Sequence, residues 1–128
     1  MEQELIIQAN FLEQQARELE GNFQIIDNQI SELGQFLKDL DFLMNIKNEE
    51  ILASVGKGVY IKAGMKKIER LFVEVGAGVV VQKSPKDTIE VIKNQIPRLK
   101  EARFQINAQL EIYREKLGEI LDNVRAGQ

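Results

Sequence analysis

Apolar residues recur at both ends of the chain at alternating steps of three and four residues. The N-terminal run consists of Leu5, Ala9, Leu12, Ala16, Leu19, Phe23, Ile26, Ile30, Leu33, Leu37 and Leu40. The C-terminal run consists of Ile89, Ile92, Ile96, Leu99, Arg103, Ile106, Leu110, Tyr113, Leu117, Ile120 and Val124. A steady repeat of about 3.5 residues is typical of helices that wind around each other in a left-handed coiled coil.

The two apolar runs mirror each other when the chain is folded back on itself. Leu5 then faces Val124, and each following layer matches in turn down to Leu40 and Ile89. No layer is left without a partner, so the apolar seam continues along both helices without a slip. The pattern therefore predicts an antiparallel helical hairpin, and the segment between the helices must let the chain reverse its direction.

The predicted helices carry recognisable start and stop signals. Helix one runs from about Glu2 to Met44, and it continues through two internal glycines because the seam does not slip there. Helix two begins at Ser84 as the N-cap and Pro85 as the first helical residue, with an acidic capping-box residue two positions later. We expect helix two to end near Arg125, so that the two helices have similar lengths of roughly 60 Å.

Two residues inside helix two interrupt an otherwise regular pattern. Pro97 should bend the helix without breaking it, because the seam resumes in register beyond the proline. Arg103 is the one polar residue of the seam and faces Ile26 in the predicted hairpin. Arg103 could extend outward to solvent or pair with a carboxylate of another chain, and we expect it to have a modest role in setting the register of the two helices.

Between the helices the composition changes to a repeat that is rich in valine and glycine. Residues 51–62 read ILASVGKGVYIK, and residues 71–82 read LFVEVGAGVVVQ. In each copy a tight turn with glycines joins two apolar strands, which predicts a β-hairpin. The predicted fold class is α+β, a long antiparallel coiled-coil helical hairpin with two central β-hairpins. We expect a single domain, with residues 1–46 as the N-terminal helix, 47–83 as the hairpins and 84–128 as the C-terminal helix.

Four short strands are too few to bury their own apolar side chains. Valine and isoleucine occur on both faces of the strands, and the pair of helices is too thin to cover them. We therefore expect the hairpins to form an intersubunit β-barrel. The predicted oligomerisation residues are Ile51, Val55, Val59, Ile61, Leu71, Val73, Val75, Val79 and Val81.

The composition excludes several classes of function. The chain has no cysteine and no histidine, which removes disulfides, thiolate nucleophiles, imidazole bases and the usual zinc ligands. The net charge is −3, and neither helix is basic enough to bind nucleic acid through phosphates. No apolar stretch approaches the roughly 20 residues of a membrane span, and the N-terminus is acidic where a signal peptide is basic. We expect a cytoplasmic protein without nucleic-acid or membrane partners.

The glycine turns require comparison with phosphate-binding loops. The segment Val55-Gly56-Lys57-Gly58 resembles such a loop only superficially, because a P-loop lysine is followed by serine or threonine and then by a helix. Here a strand follows, so a hairpin turn is the better interpretation. We expect no cofactor, no metal and no enzymatic activity.

Apolar residues outside the seam occur at the open ends of both helices. An exposed apolar patch usually marks a contact site, although a coil end that merely packs on itself is the alternative interpretation. The predicted binding surface comprises Leu5, Ile6, Ile7, Phe11, Leu12, Leu117, Ile120, Leu121 and Val124.

The order helix, two β-hairpins, helix resembles the prefoldin family, specifically its archaeal alpha-type subunits. The resemblance is carried by residues 50–63, by residues 73–79 and by the helix start after Lys83-Ser84. It implies a hexamer with two alpha-type and four beta-type subunits, whose hairpins form a double β-barrel. It also implies an ATP-independent chaperone, a holdase that captures unfolded proteins at the coil tips and transfers them to a group II chaperonin. The alternative is a structural coiled-coil spacer or a filament-forming prefoldin-like protein.

Overall fold

The computed structural model describes residues 2–127 and places six elements along the chain. The elements in chain order are α1 (Glu2–Met44), β1 (Glu49–Gly56), β2 (Val59–Met65), β3 (Leu71–Gly76), β4 (Val79–Lys83) and α2 (Pro85–Ala126). This order confirms the predicted fold class. The chain divides into two units, which we name the coil unit (residues up to 32 and from 96 onward) and the hairpin unit (residues 33–95).

The helix ends follow the signals in the sequence. The Asn45 side chain ends α1 by donating Nδ2 to the Asp41 carbonyl oxygen at 2.8 Å. At the start of α2 the Asp87 backbone N–H donates to Ser84 Oγ at 3.1 Å, which confirms Ser84 as the N-cap. Helix α2 continues through Pro97 as predicted, and α1 continues through its internal glycines.

The predicted seam positions are the enclosed positions of both helices. Each residue of the two apolar runs is buried or half-buried. The most buried seam residues are Ala16 and Leu110 in the coil unit and Leu40 and Ile92 in the hairpin unit. Because burial of apolar area is the main favourable term in folding, the seam holds each unit together.

Two ion pairs cross between the helices of the coil unit. Arg103 Nη1 donates to Asp27 Oδ1 at 2.6 Å, one residue away from the Ile26 position that the seam pairing predicts. Arg114 Nη2 donates to Glu20 Oε1 at 3.3 Å. The Arg103 pair is half-buried, whereas the Arg114 pair is exposed. Both contacts confirm the antiparallel arrangement within this unit.

The Arg103–Asp27 pair should contribute measurably to stability, whereas the Arg114–Glu20 pair should contribute little. In a double-mutant cycle with Arg103→Ala and Asp27→Ala, we expect a coupling of about 0.5–1 kcal/mol, because a short half-buried pair is less screened than an exposed one. The matched cycle with Arg114→Ala and Glu20→Ala should give a coupling near zero. Urea unfolding at one fixed protein concentration measures both cycles, and equal couplings would contradict the expectation.

Both β-hairpins close through the same two-residue turn. Lys57 and Gly58 have φ values of 52° and 78°, and Ala77 and Gly78 have values of 49° and 74°. Two consecutive residues with positive φ form the type I′ turn, whose twist matches that of the flanking strands. In each hairpin the strand pairing also skips one residue just before the turn. The sequence repeat is therefore a structural repeat.

The two hairpins leave most of their apolar side chains uncovered. They form two separate two-stranded sheets, β1 with β2 and β3 with β4. Among the predicted oligomerisation residues Leu71, Val73 and Val81 are half-buried, and the others are exposed, namely Ile51, Val55, Val59, Ile61, Val75 and Val79. Across residues 2–127 no side chain is fully buried. The shared β-barrel itself stays a prediction, and these uncovered strands are the surface available to form it.

Candidate functional site

An apolar groove lies in the coil unit near the ends of α1 and α2. Its volume is about 500 Å³. It is lined by Ile7, Gln8, Phe11, Leu12, Lys116 and Ile120. Ile7 and Phe11 are 67% and 61% exposed, so large apolar side chains border the groove and face solvent. Such an arrangement suits contact with an apolar partner.

The structure brings together only part of the predicted binding surface. Four of its residues line the groove, namely Ile7, Phe11, Leu12 and Ile120. Leu5, Leu117 and Val124 are half-buried seam residues, as their positions in the repeat predict. Ile6 and Leu121 are exposed and lie outside the groove lining. A role for these nine residues in binding stays a prediction.

The sequence interpretation missed two lining residues and three exposed apolar residues of the coil unit. Gln8 and Lys116 line the groove, although neither is apolar. Ile25, Phe104 and Ile112 are exposed outside the seam, away from the helix ends. The signal for these three was available, because each is an apolar residue at a non-seam position of the heptad pattern. Exposed apolar residues are therefore not confined to the end of the coil unit.

The second surface feature is a cluster of lysines in the hairpin unit. A cavity of about 710 Å³ is lined by Lys47, Asn48, Lys66, Lys67 and Glu69. The three lysines and the glutamate are all exposed to solvent, which is the usual state of such side chains. Within residues 2–127 no group of three or more His, Cys, Asp or Glu residues is arranged to hold a metal ion. The apolar groove is therefore the stronger candidate site.

The helices are amphipathic and not uniformly apolar. In the part of the chain that the structure describes, neither helix has a stretch apolar and long enough to cross a membrane.

The fold defines a class of proteins in which a helical hairpin carries two β-hairpins between its helices. The family model for the prefoldin subunit matches residues 12–128. The chain therefore belongs to the prefoldin family, and a chaperone-type role follows from that membership. The matched span begins just after Phe11. Ile7 and Phe11, the two most exposed apolar residues of the groove, therefore lie before this span.

Individual relatives agree with the resemblance to alpha-type subunits. The prefoldin subunit alpha of Archaeoglobus fulgidus is 27% identical over 110 residues, which cover 85% of this chain and 80% of the relative. The prefoldin subunit alpha of Methanopyrus kandleri is 30% identical over 109 residues, covering 84% and 69% respectively. A cryo-EM structure of filamentous PFD from Methanocaldococcus jannaschii has a similar fold, with a TM-score of 0.75 and 18% identity. That similarity covers 91% of this chain and 97% of the other.

Proposed function

We propose that the chain is a subunit of an ATP-independent holdase that captures unfolded proteins at the end of its coil unit. The observation that carries the proposal is the open groove with Ile7 and Phe11 at its border. An unfolded client exposes apolar segments of varied sequence. A groove with exposed apolar side chains accepts such segments without requiring one particular shape.

One groove should hold a client only weakly. Burial of apolar area contributes about 25 cal/mol per Å², so a contact of a few hundred Å² gives several kcal/mol before entropic costs. Several grooves on one assembly would hold a client far more firmly, because the second and later contacts form within the same complex. The proposed mechanism is therefore reversible capture through avidity, without a nucleotide-driven step.

The uncovered β-hairpins support assembly with other subunits. By the family resemblance, we propose that two copies of this chain join four beta-type subunits through a shared β-barrel. We further propose that the complex acts in the cytoplasm and passes its clients to a group II chaperonin. The exposed Val75 and Val79 side chains support this assembly, since their burial requires a partner.

A structural role is the second candidate function. The fold neighbour from Methanocaldococcus jannaschii is described as filamentous, and uncovered strands could also join copies of one chain end to end. A spacer or filament subunit has no need to protect an unfolded client, so a protection assay distinguishes the two functions.

Protection of a denatured client should require no nucleotide. Light scattering during dilution of the client should show reduced aggregation when the chain and a beta-type subunit are present without ATP. The Lys57→Ala variant should protect equally well, because Lys57 lies in a hairpin turn. Alanine is suited to this turn, since Ala77 occupies the equivalent position of the second hairpin with a φ of 49°. Absence of protection would favour the structural role, and saturable ATP binding lost in Lys57→Ala would contradict the turn interpretation.

A further inference from the structure

The two sides of the helix pair differ in the coil unit. On one side the ion pairs Glu20–Arg114 and Asp27–Arg103 cross between the helices. We name this side the charged flank. On the other side the heptad positions that face each other across the helices are mostly uncharged, and we name it the amide flank. Its residues are Gln8, Gln15, Asn22, Gln29, Ala102, Gln109 and Lys116.

The apolar groove opens on the amide flank, because Gln8 and Lys116 both line it. On the charged flank the corresponding depression is about 220 Å³ and is bordered by the Glu20 and Arg114 side chains. Among the residues that the structure describes, the cross-helix ion pairs of the coil unit thus lie on one side of the seam. The amide flank is the side on which an apolar partner reaches the seam without displacing an ion pair.

A regular column of exposed side chains lies on α1 beside the amide flank. It consists of Glu4, Phe11, Glu18, Ile25 and Glu32, which recur every seven residues and alternate between acidic and apolar. All five are exposed, with Ile25 at 57%. Seven helical residues rise about 10.5 Å. One three-residue turn of polyproline II conformation, which unfolded chains often adopt, rises about 9.3 Å and places side chains three positions apart on the same face. The spacing of the column is therefore close to the repeat of a peptide in polyproline II conformation.

Acidic groups outnumber basic groups along this side of the coil unit. Helix α2 contributes Lys116 and Arg98 here, together with Glu119 one turn from Lys116. The three glutamates of the column and Glu119 together make four acidic residues, against two basic ones. A bound segment with basic side chains would thus meet complementary charge.

We propose that this column binds segments of unfolded clients in polyproline II conformation, in which apolar and basic residues alternate about every three positions. The proposal rests on the proposed holdase function and names the class of client segment that the same site selects. Apolar client residues pack against Phe11 and Ile25, and basic residues pair with Glu4, Glu18 and Glu32. The groove beside Phe11 anchors one end of the segment.

A second copy of the chain is the other occupant to consider for this surface. The order of acidic and apolar residues in the column is symmetric about Glu18. Antiparallel docking of two copies would therefore place glutamate against glutamate. Like charges that face each other directly are destabilising. The charge pattern therefore favours a basic client segment over self-association.

Three synthetic peptides of about 13 residues, long enough to match all five residues of the column, test the proposal with the full chain. The first peptide has lysine and leucine in alternation at every third position, beginning and ending with lysine, and serine elsewhere. The second has glutamate in place of lysine, and the third has serine in place of leucine. Fluorescence anisotropy at low salt should show the lysine peptide binding about tenfold tighter than the glutamate peptide, the order expected for three weak surface ion pairs. The serine peptide should bind more weakly than the lysine peptide.

Two variants with the same change in net charge test whether the column causes the preference for the lysine peptide. Glu4→Gln, Glu18→Gln and Glu32→Gln together should reduce the preference to about twofold or less, since only the weak field of distant charges remains. The control Glu111→Gln, Glu115→Gln and Asp122→Asn also removes three exposed acidic groups, at heptad positions of α2 that point away from the seam. The control should keep the preference of the parent.

Each contrary result overturns the proposal in a distinct way. A preference that survives in the column variant, or that is lost equally in the control, places the selectivity elsewhere. A change in native mass in the column variant would assign the surface to a second copy of the chain. If clients are protected and the peptides bind without regard to charge, only this inference fails. If neither clients nor peptides bind, the proposed function fails with it.

Discussion

Replacing Ile6, Ile7 and Phe11 with serine should abolish protection of a denatured client. All three side chains are at least half exposed, and Ile7 and Phe11 border the groove. The substitutions therefore remove apolar contact area while leaving the seam intact. Light scattering of a diluted, denatured client measures the loss. Native mass and thermal stability should change little, because these positions pack against few other side chains.

A matched variant gives this experiment its control. Phe104→Ser removes a side chain of the coil unit that is 65% exposed and does not line the groove. We expect it to protect clients as the parent does. If the triple variant protects as well as the parent, clients are held elsewhere on the chain or by the partner subunits. If the triple variant loses assembly, those residues are structural and the alternative of a self-packed coil end is correct.

Aspartate at Val75 and Val79 should disrupt assembly without unfolding the helices. Both valines are exposed in the single chain, so the new carboxylates remain hydrated there. In a shared β-barrel the same carboxylates would be buried, which costs several kcal/mol when no partner is provided. Native mass spectrometry should show a shift toward the monomer, while circular dichroism should remain largely helical.

The control for the assembly experiment is Gln82→Asp. Gln82 is an exposed polar residue on β4, so a carboxylate there changes charge without replacing an apolar contact. We expect this variant to assemble. A Val75→Asp/Val79→Asp variant that stays fully assembled would show that the coils, and not the hairpins, hold the subunits together.

The elements were predictable from the sequence because each depends on a local pattern. The seam follows from apolar spacing alone, and the Ser84-Pro85 pair gives the start of α2 directly. The two hairpins were predictable because glycines bracket each turn and the pattern occurs twice. The partner of Arg103 was not predictable, since Asp27 lies beside the seam and is brought near only when the two helices pair.

The groove was only partly predictable. Its apolar residues were found because they stand outside the seam near the helix ends. Gln8 and Lys116 were missed because the prediction considered apolar residues only, although both occupy heptad positions that face each other beside the seam. The alternation of acidic and apolar side chains along α1 is visible in the sequence, whereas the ion pairs that distinguish one flank from the other are visible only in the structure.

The wide sequence separation of the cross-helix ion pairs has a consequence for the order of folding. The β-hairpins join near neighbours in the chain, whereas Arg103 and Asp27 are 76 positions apart and Arg114 and Glu20 are 94 apart. Closing a longer loop costs more entropy, so pairing of the helices should begin beside the hairpins and advance toward the chain ends. The groove then forms last and is the first part to fray. Local opening there would admit a bulky client segment while the rest of the chain stays folded.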